Sequence, residues 1–165
     1  MSIEMWKLLL VWVKSPILTF EKKGVIIERM ERCITHILRV YVKNEGNSVA
    51  ERCRAYLICF ENEQRFKRWA LCFGDDYIPE VDIMPGERIA INVVAYSGKA
   101  YYGVAFTCLR RNMITHDYSK LVKDSWLRAG EYNIKVQIHS RTCKVEKGFL
   151  LKIYERPEEA GLREK

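Results

Sequence analysis

Hydrophobic and polar residues alternate with a period of two along most of the chain, the spacing of strands with one face in a core and one in water. Residues 34–43 place His36, Leu38, Val40 and Val42 on one side and Ile37, Arg39, Tyr41 and Lys43 on the other. Asn44-Glu45-Gly46-Asn47-Ser48 then supplies turn chemistry. Residues 52–60 alternate again, with Cys53, Ala55, Leu57 and Cys59 facing one way and Arg52, Arg54 and Tyr56 the other. The two runs read as neighbouring strands joined by a short loop.

A third strand at 69–73 ends at Gly74-Asp75-Asp76, and Pro85-Gly86 turns the chain into a fourth at 88–96, with Ile89, Ile91, Val93 and Ala95 inward. Residues 101–109 form another. The pattern loosens after Arg110, where 117–126 suits one short helix burying Leu121, Val122 and Trp126. Strands at 132–139, with Tyr132, Ile134, Val136 and Ile138 inward, and at 145–154 complete the series. With weaker pieces at 16–20 and 24–28, about eight or nine strands separated by short turns predict an all-β fold, an antiparallel β-sandwich. Residues 15–154 form that domain. An apolar segment at 1–14 precedes it, as a docked strand or helix or the remnant of an anchor, and a charged, frayed tail at 155–165 follows.

Short motifs carry a family resemblance. Ser15-Pro16-Ile17-Leu18-Thr19-Phe20 comes first, then Leu38, Val40, Val42-Lys43-Asn44, Gly46 and Ala50, then Ala129-Gly130, Tyr132, Ile134 and Val136. This order resembles immunoglobulin-like adhesion-type modules of bacteria and archaea. Cys53, Trp69 and Asp82-Ile83-Met84-Pro85-Gly86 also resemble positions in a group of uncharacterised prokaryotic proteins that carry such a module. The resemblance implies an immunoglobulin-like sandwich that works by ligand presentation, protein contact or spacing, with no catalytic residues to carry over. The stretch from Lys99 to Trp126 is longer than such modules use at that point.

Composition adds a charge bias. The 165 residues are 48% hydrophobic and 30% charged, which suits one soluble domain and excludes a membrane helix bundle, and the formal charge is +7. That excess suits anionic partners as well as plain solubility. The apolar run around residues 6–13 falls far short of the roughly 20 residues that span a bilayer. Its flanking Trp6 and Trp12 suit peripheral membrane contact, and the absence of a secretory pattern favours a cytoplasmic or membrane-associated location over secretion. Cys33, Cys53, Cys59, Cys72, Cys108 and Cys143 contain no C-x-x-C pair, so a structural zinc site is not expected, while free buried thiols and one or more disulfides both remain open.

No cofactor, metal site or small-molecule substrate is indicated. His36, His116 and His139 lie in separate elements, and no G-x-S-x-G or P-loop pattern occurs. Asp75, Asp76, Glu80 and Asp82 cluster around one loop without the spacing of an EF-hand. If the two long strands pair, Arg39, Tyr41, Lys43, Arg52, Arg54 and Tyr56 share one outer face, interleaving cations with aromatics. Ile37 and Ile58 on that face favour a covering element, a second copy or another protein. The expectation is therefore a non-catalytic interaction module making protein contacts or associating with itself. The alternative is a nucleic-acid-binding module that grips phosphates and stacks bases.

Overall fold

A computed structural model describes residues 4–5, 15–31, 34–60, 66–97, 105–106, 126–154, 156 and 159–165. The fold is all-β, with twelve strands among the described residues. They are β1 (Leu18–Phe20), β2 (Val25–Glu31), β3 (Ile34–Asn44), β4 (Ala50–Phe60), β5 (Phe66–Phe73), β6 (Val81–Ile83), β7 (Arg88–Ser97), β8 (Ala105–Phe106), β9 (Trp126–Leu127), β10 (Gly130–His139), β11 (Lys144–Ile153) and β12 (Gly161–Glu164). The alternating runs thus form strands close to where the pattern puts them. Trp126, expected at the end of a short helix, lies instead in β9, which pairs with β8. The rest of that helix at 117–125, the segment at 6–13, most of the strand at 101–109, and Cys33 and Cys108 lie outside the described residues.

All pairing is antiparallel, in the continuous order β1-β3-β7-β5-β4-β10-β11-β12. The sheet curls around one core. Leu38, Val40 and Val42 of β3 meet Cys53, Ala55 and Leu57 of β4, Ile134, Val136 and Ile138 of β10, and Phe149 and Leu151 of β11. Phe20 of β1 touches Phe149 edge-on, with ring centroids 6.4 Å apart, so strands far apart in the sheet order meet across that core. β5 joins the two halves, pairing through Phe66 to Leu71 with β4 and through Cys72 and Phe73 with β7.

The predicted pairing of β3 with β4 does not occur, because both edges of β3 are already taken, by β1 and β2 on one side and β7 on the other. Asn44 sets the crossing. It is fully buried, and its side chain accepts from the Ile17 and Gly46 backbone N–H groups and donates to the Ser48 and Ile83 carbonyls. Those bonds tie the β3–β4 link to the chain before β1 and to β6, so the link crosses the fold instead of doubling back as a hairpin. Gly46 is required there: a Cβ would sit 2.4 Å from the Ser15 carbonyl oxygen.

Two further features depart from the sequence reading. A register shift beside Leu38 and Arg39 makes a bulge in β7, so Ala95 turns to the outer side with Ile37, Cys72 and Tyr77, where Tyr77 covers the sheet. The segment expected to be a frayed tail carries β12, which pairs with β11 and places Leu162 in the core at 1% exposure. On its other side β12 meets the chain entering β2: Gly24 donates to the Leu162 carbonyl at 2.9 Å and Glu164 donates to that of Lys22 at 3.1 Å. A Cβ on Gly24 would lie 2.6 Å from the Leu162 Cβ, so the bare backbone lets β12 approach. Among the described residues no helix is long and apolar enough to cross a membrane.

Candidate functional site

The outer face of β4 carries Arg54, Tyr56, Ile58 and Phe60 in alternation, and its neighbours extend each row. Arg54 stands opposite His139, which stands opposite Lys144; Tyr56 stands between Ala70 and Gln137, which faces Glu146; Ile58 stands between Arg68 and Lys135. The Arg68 guanidinium lies 3.9 Å from the Tyr56 ring centroid, and the His139 ring centroid is 5.1 Å away. Lys135 sits 5.8 Å above the Phe60 ring and bonds Glu146 at 2.9 Å, while Gln137 donates to the other oxygen of Glu146 at 2.7 Å. These bonds hold the Glu146 carboxyl below its ordinary range, first through Lys135.

Arg52 and Arg54 open the strand. Arg52 adopts φ +53°, a left-handed conformation uncommon for a residue with a side chain. Its N–H donates to Asp82 Oδ1 at 2.7 Å, where the register of β4 against β6 shifts between Ala50 and Cys53. Glu80 then bridges the two arginines, accepting from Arg52 Nε at 2.9 Å and from Arg54 Nε at 2.6 Å. The pairing lowers the Glu80 pKa and raises that of Arg54. Together with Tyr56, His139, Ser140 and Arg141, these groups line an open cleft of about 350 Å³.

His139 titrates below its ordinary value, first because it is desolvated and then because Arg68 and Lys144 oppose its charge, with Glu146 pulling the other way. At neutral pH its ring is mostly uncharged. Its Nε2 lies 3.3 Å from Gln137 Oε1. The Ser140 hydroxyl is engaged inside the β10–β11 turn, donating to the Cys143 carbonyl at 3.1 Å and accepting from the Cys143 N–H at 2.9 Å. Behind the strand the Cys53 thiol is pushed up to about 12, mainly by burial, which keeps it protonated and poorly nucleophilic. The cleft therefore offers fixed charges, donors and aromatic side chains.

The six predicted face residues separate into two groups. Arg52, Arg54 and Tyr56 share the face just described. Arg39, Tyr41 and Lys43 are on β3, which β7 and β5 separate from β4. Arg39 is not a surface cation at all, being 5% exposed under the loop after β5. Its Nε donates to Asn92 Oδ1 at 2.7 Å and its Nη2 to Asp75 Oδ1 at 2.6 Å, and Arg29 reaches the same Asp75 oxygen at 2.5 Å. Tyr41 is half-buried beneath Arg88, whose guanidinium lies 3.6 Å from its ring centroid and bonds Glu21 at 2.6 Å. Lys43 is exposed. The acidic loop cluster is likewise divided, Asp75 facing Arg39 and Arg29, Glu80 facing Arg52 and Arg54, and Asp82 holding the Arg52 backbone. Among the described residues no group of three or more His, Cys, Asp or Glu side chains is placed to hold a metal ion, and Cys53 and Cys143 are free thiols.

Arg68, Lys135, His139, Arg141 and Glu146 complete the face, and the sequence pattern did not join any of them to it; His139 stood out there only as one of three scattered histidines. The same alternation that turns Ile134, Val136 and Ile138 inward turns Lys135, Gln137 and His139 outward, so the outward set was readable. What alternation lacks is the identity of the neighbouring strand. No protein-family model matches the chain, and the searches of curated proteins and of solved structures find no match either.

Proposed function

We propose that the chain is a non-catalytic binding module of the immunoglobulin-like sandwich kind, making protein contacts through the outer face of β4, β5 and β10. In that reading β5 is the strand that passes between the two sheets of the sandwich. The observation that supports a protein partner is the state of Tyr56, whose ring is flanked by Arg68 at 3.9 Å and by His139 at 5.1 Å. Base stacking needs an open ring face, and phosphate binding needs cations without acidic partners. Here Glu80 and Glu146 stand among the cations. A patch of Tyr, Arg and Phe whose cations are in part paired with Glu80 and Glu146 matches the composition of protein interface centres.

The test is crosslinking of the purified chain, alone and in cell extract, followed by mass spectrometry and sizing, with Tyr56→Ala and Arg68→Ala in parallel. Crosslinks to a protein or a second copy should map to β4, β5 and β10. Both variants should lose them while keeping their unfolding midpoint near that of the parent. Tight, salt-dependent binding of a single-stranded oligonucleotide, abolished by Arg54→Glu, would establish the nucleic-acid reading instead.

A further inference from the structure

We propose that the cleft at the start of β4 receives a carboxylate from an acidic segment of the partner protein, held by the guanidinium groups of Arg52, Arg54 and Arg141. The inference rests on the protein-binding reading above and names the chemistry of the partner. Three observations carry it.

First, the backbone is bent to present Arg52. Its φ of +53° is maintained by the Asp82 carboxylate on its N–H and by the register shift against β6. Strained backbone of this kind persists where surrounding groups over-determine it, and it clusters at sites that bind. Second, Glu80 engages each arginine through Nε alone, at 2.9 and 2.6 Å. A guanidinium carries five N–H donors in a planar fork, so Glu80 fixes the orientation of both forks without using their terminal nitrogens. It also shows in place the ligand chemistry that the pair accepts, a carboxylate in a two-point bridge. The side chains remain open, with Arg52, Arg54 and Arg141 exposed by 65, 54 and 71%.

Third, the charge balance selects the ligand. The three arginines face Glu80 and Glu51, the latter 3.3 Å from Arg141, while Asp82 on the Arg52 backbone is offset by Lys144 opposite His139, so four positive charges less three negative ones leave +1. His139 adds little charge at neutral pH because its pKa is lowered by burial, Arg68 and Lys144. One carboxylate neutralises that excess. A phosphate dianion overshoots it, and a polynucleotide backbone would pass close to Glu80 and Glu51. The Tyr56 and His139 rings beside the arginines offer apolar surface to the methylene stem of a glutamate.

The experiment titrates the ¹⁵N-labelled full chain with an acetylated, amidated pentaglutamate peptide, and separately with inorganic phosphate and a deoxythymidine oligonucleotide. The peptide should move the amide signals of Arg52, Arg54, Ser140 and Arg141. Arg52→Gln with Arg54→Gln should weaken binding by about tenfold or more, the value of a charge-assisted hydrogen bond. Arg141→Gln, on the turn and outside the strained strand, gives the same reading if the double variant does not fold. Glu80→Gln should tighten binding about fivefold, since it removes one repelling charge at close range. Peptide binding that is unchanged in both arginine variants, or phosphate or oligonucleotide binding tighter than the peptide, would overturn the assignment. If those variants still crosslink to a partner through Tyr56, only the carboxylate assignment falls. If the Tyr56-dependent crosslinks are absent from the parent as well, the binding reading falls with it.

Discussion

Replacing Leu162 by alanine tests whether the last strand belongs to the folding unit. Leu162 is 1% exposed, pairs with Leu151 of β11, and stands against Gly24 where the sheet comes nearest to closing on itself. Three carbon groups are lost, worth about 2.4 kcal/mol at about 0.8 kcal/mol each. Part of the resulting cavity remains unfilled, which raises the expected loss to about 3 kcal/mol. At this chain length that lowers the melting temperature by about 6–12 °C. Arg163→Ala is the control, because its exposed side chain lies on the same strand and its removal should change stability by no more than about 0.5 kcal/mol. Urea titration of both variants, followed by tryptophan fluorescence, measures the difference. A loss for Leu162→Ala of less than about 1 kcal/mol, equal to that of the control, would refute the reasoning and return 161–164 to the status of a loose end.

Two other predictions follow from buried polar and close-packed positions. Arg39 bonding is the first cause of the lowered Asp75 pKa, so the folded state keeps this carboxylate charged to lower pH than the unfolded chain does. The resulting stability is full above the unfolded pKa of about 3.9 and is lost as pH falls through the lower folded value. Because the Asp75 side chain is 67% exposed, the contribution should be about 1 kcal/mol after solvent screening. The stability gap between parent and Asp75→Asn, read by urea titration, should therefore shrink from neutral pH towards pH 2, and a constant gap would sink the assignment. Gly46→Ala should destabilise the protein by about 2 kcal/mol, because the new Cβ would meet the Ser15 oxygen at 2.4 Å and the Ile17 nitrogen at 2.6 Å. Calorimetry showing an unchanged melting temperature would mean that the 15–17 segment does not pack there.

The candidate site was legible in part, and its division has a physical basis. Alternation assigned Arg52, Arg54 and Tyr56 to the outer side of β4, where the structure has them exposed or half-buried. It assigned Arg39 to the outer side of β3 equally well, yet the outer side of a strand is solvent only when nothing lies over it. Tyr77 and Asp75, brought in by the loop after β5, cover that part of β3, and a sequence pattern carries no record of such a lid. Glu80 stood out in the sequence only as one of four acids around a loop, since its bridging role depends on β6 running beside β4.

The sequence by itself determined the class of structure and most strand positions, because period-two burial is a local property written in successive residues. It also determined which side of β4 and of β10 faces the core. Tertiary structure alone decided which strands are neighbours. β10 lies against β4 and β3 against β7, and the buried Asn44 ties the β3–β4 link to β6. It decided as well that Ala95 turns outward at a bulge, that Arg39 is buried beside Asp75, and that Leu162 draws the last strand into the core. Each depends on contacts between segments distant in sequence, whose partners no local pattern specifies.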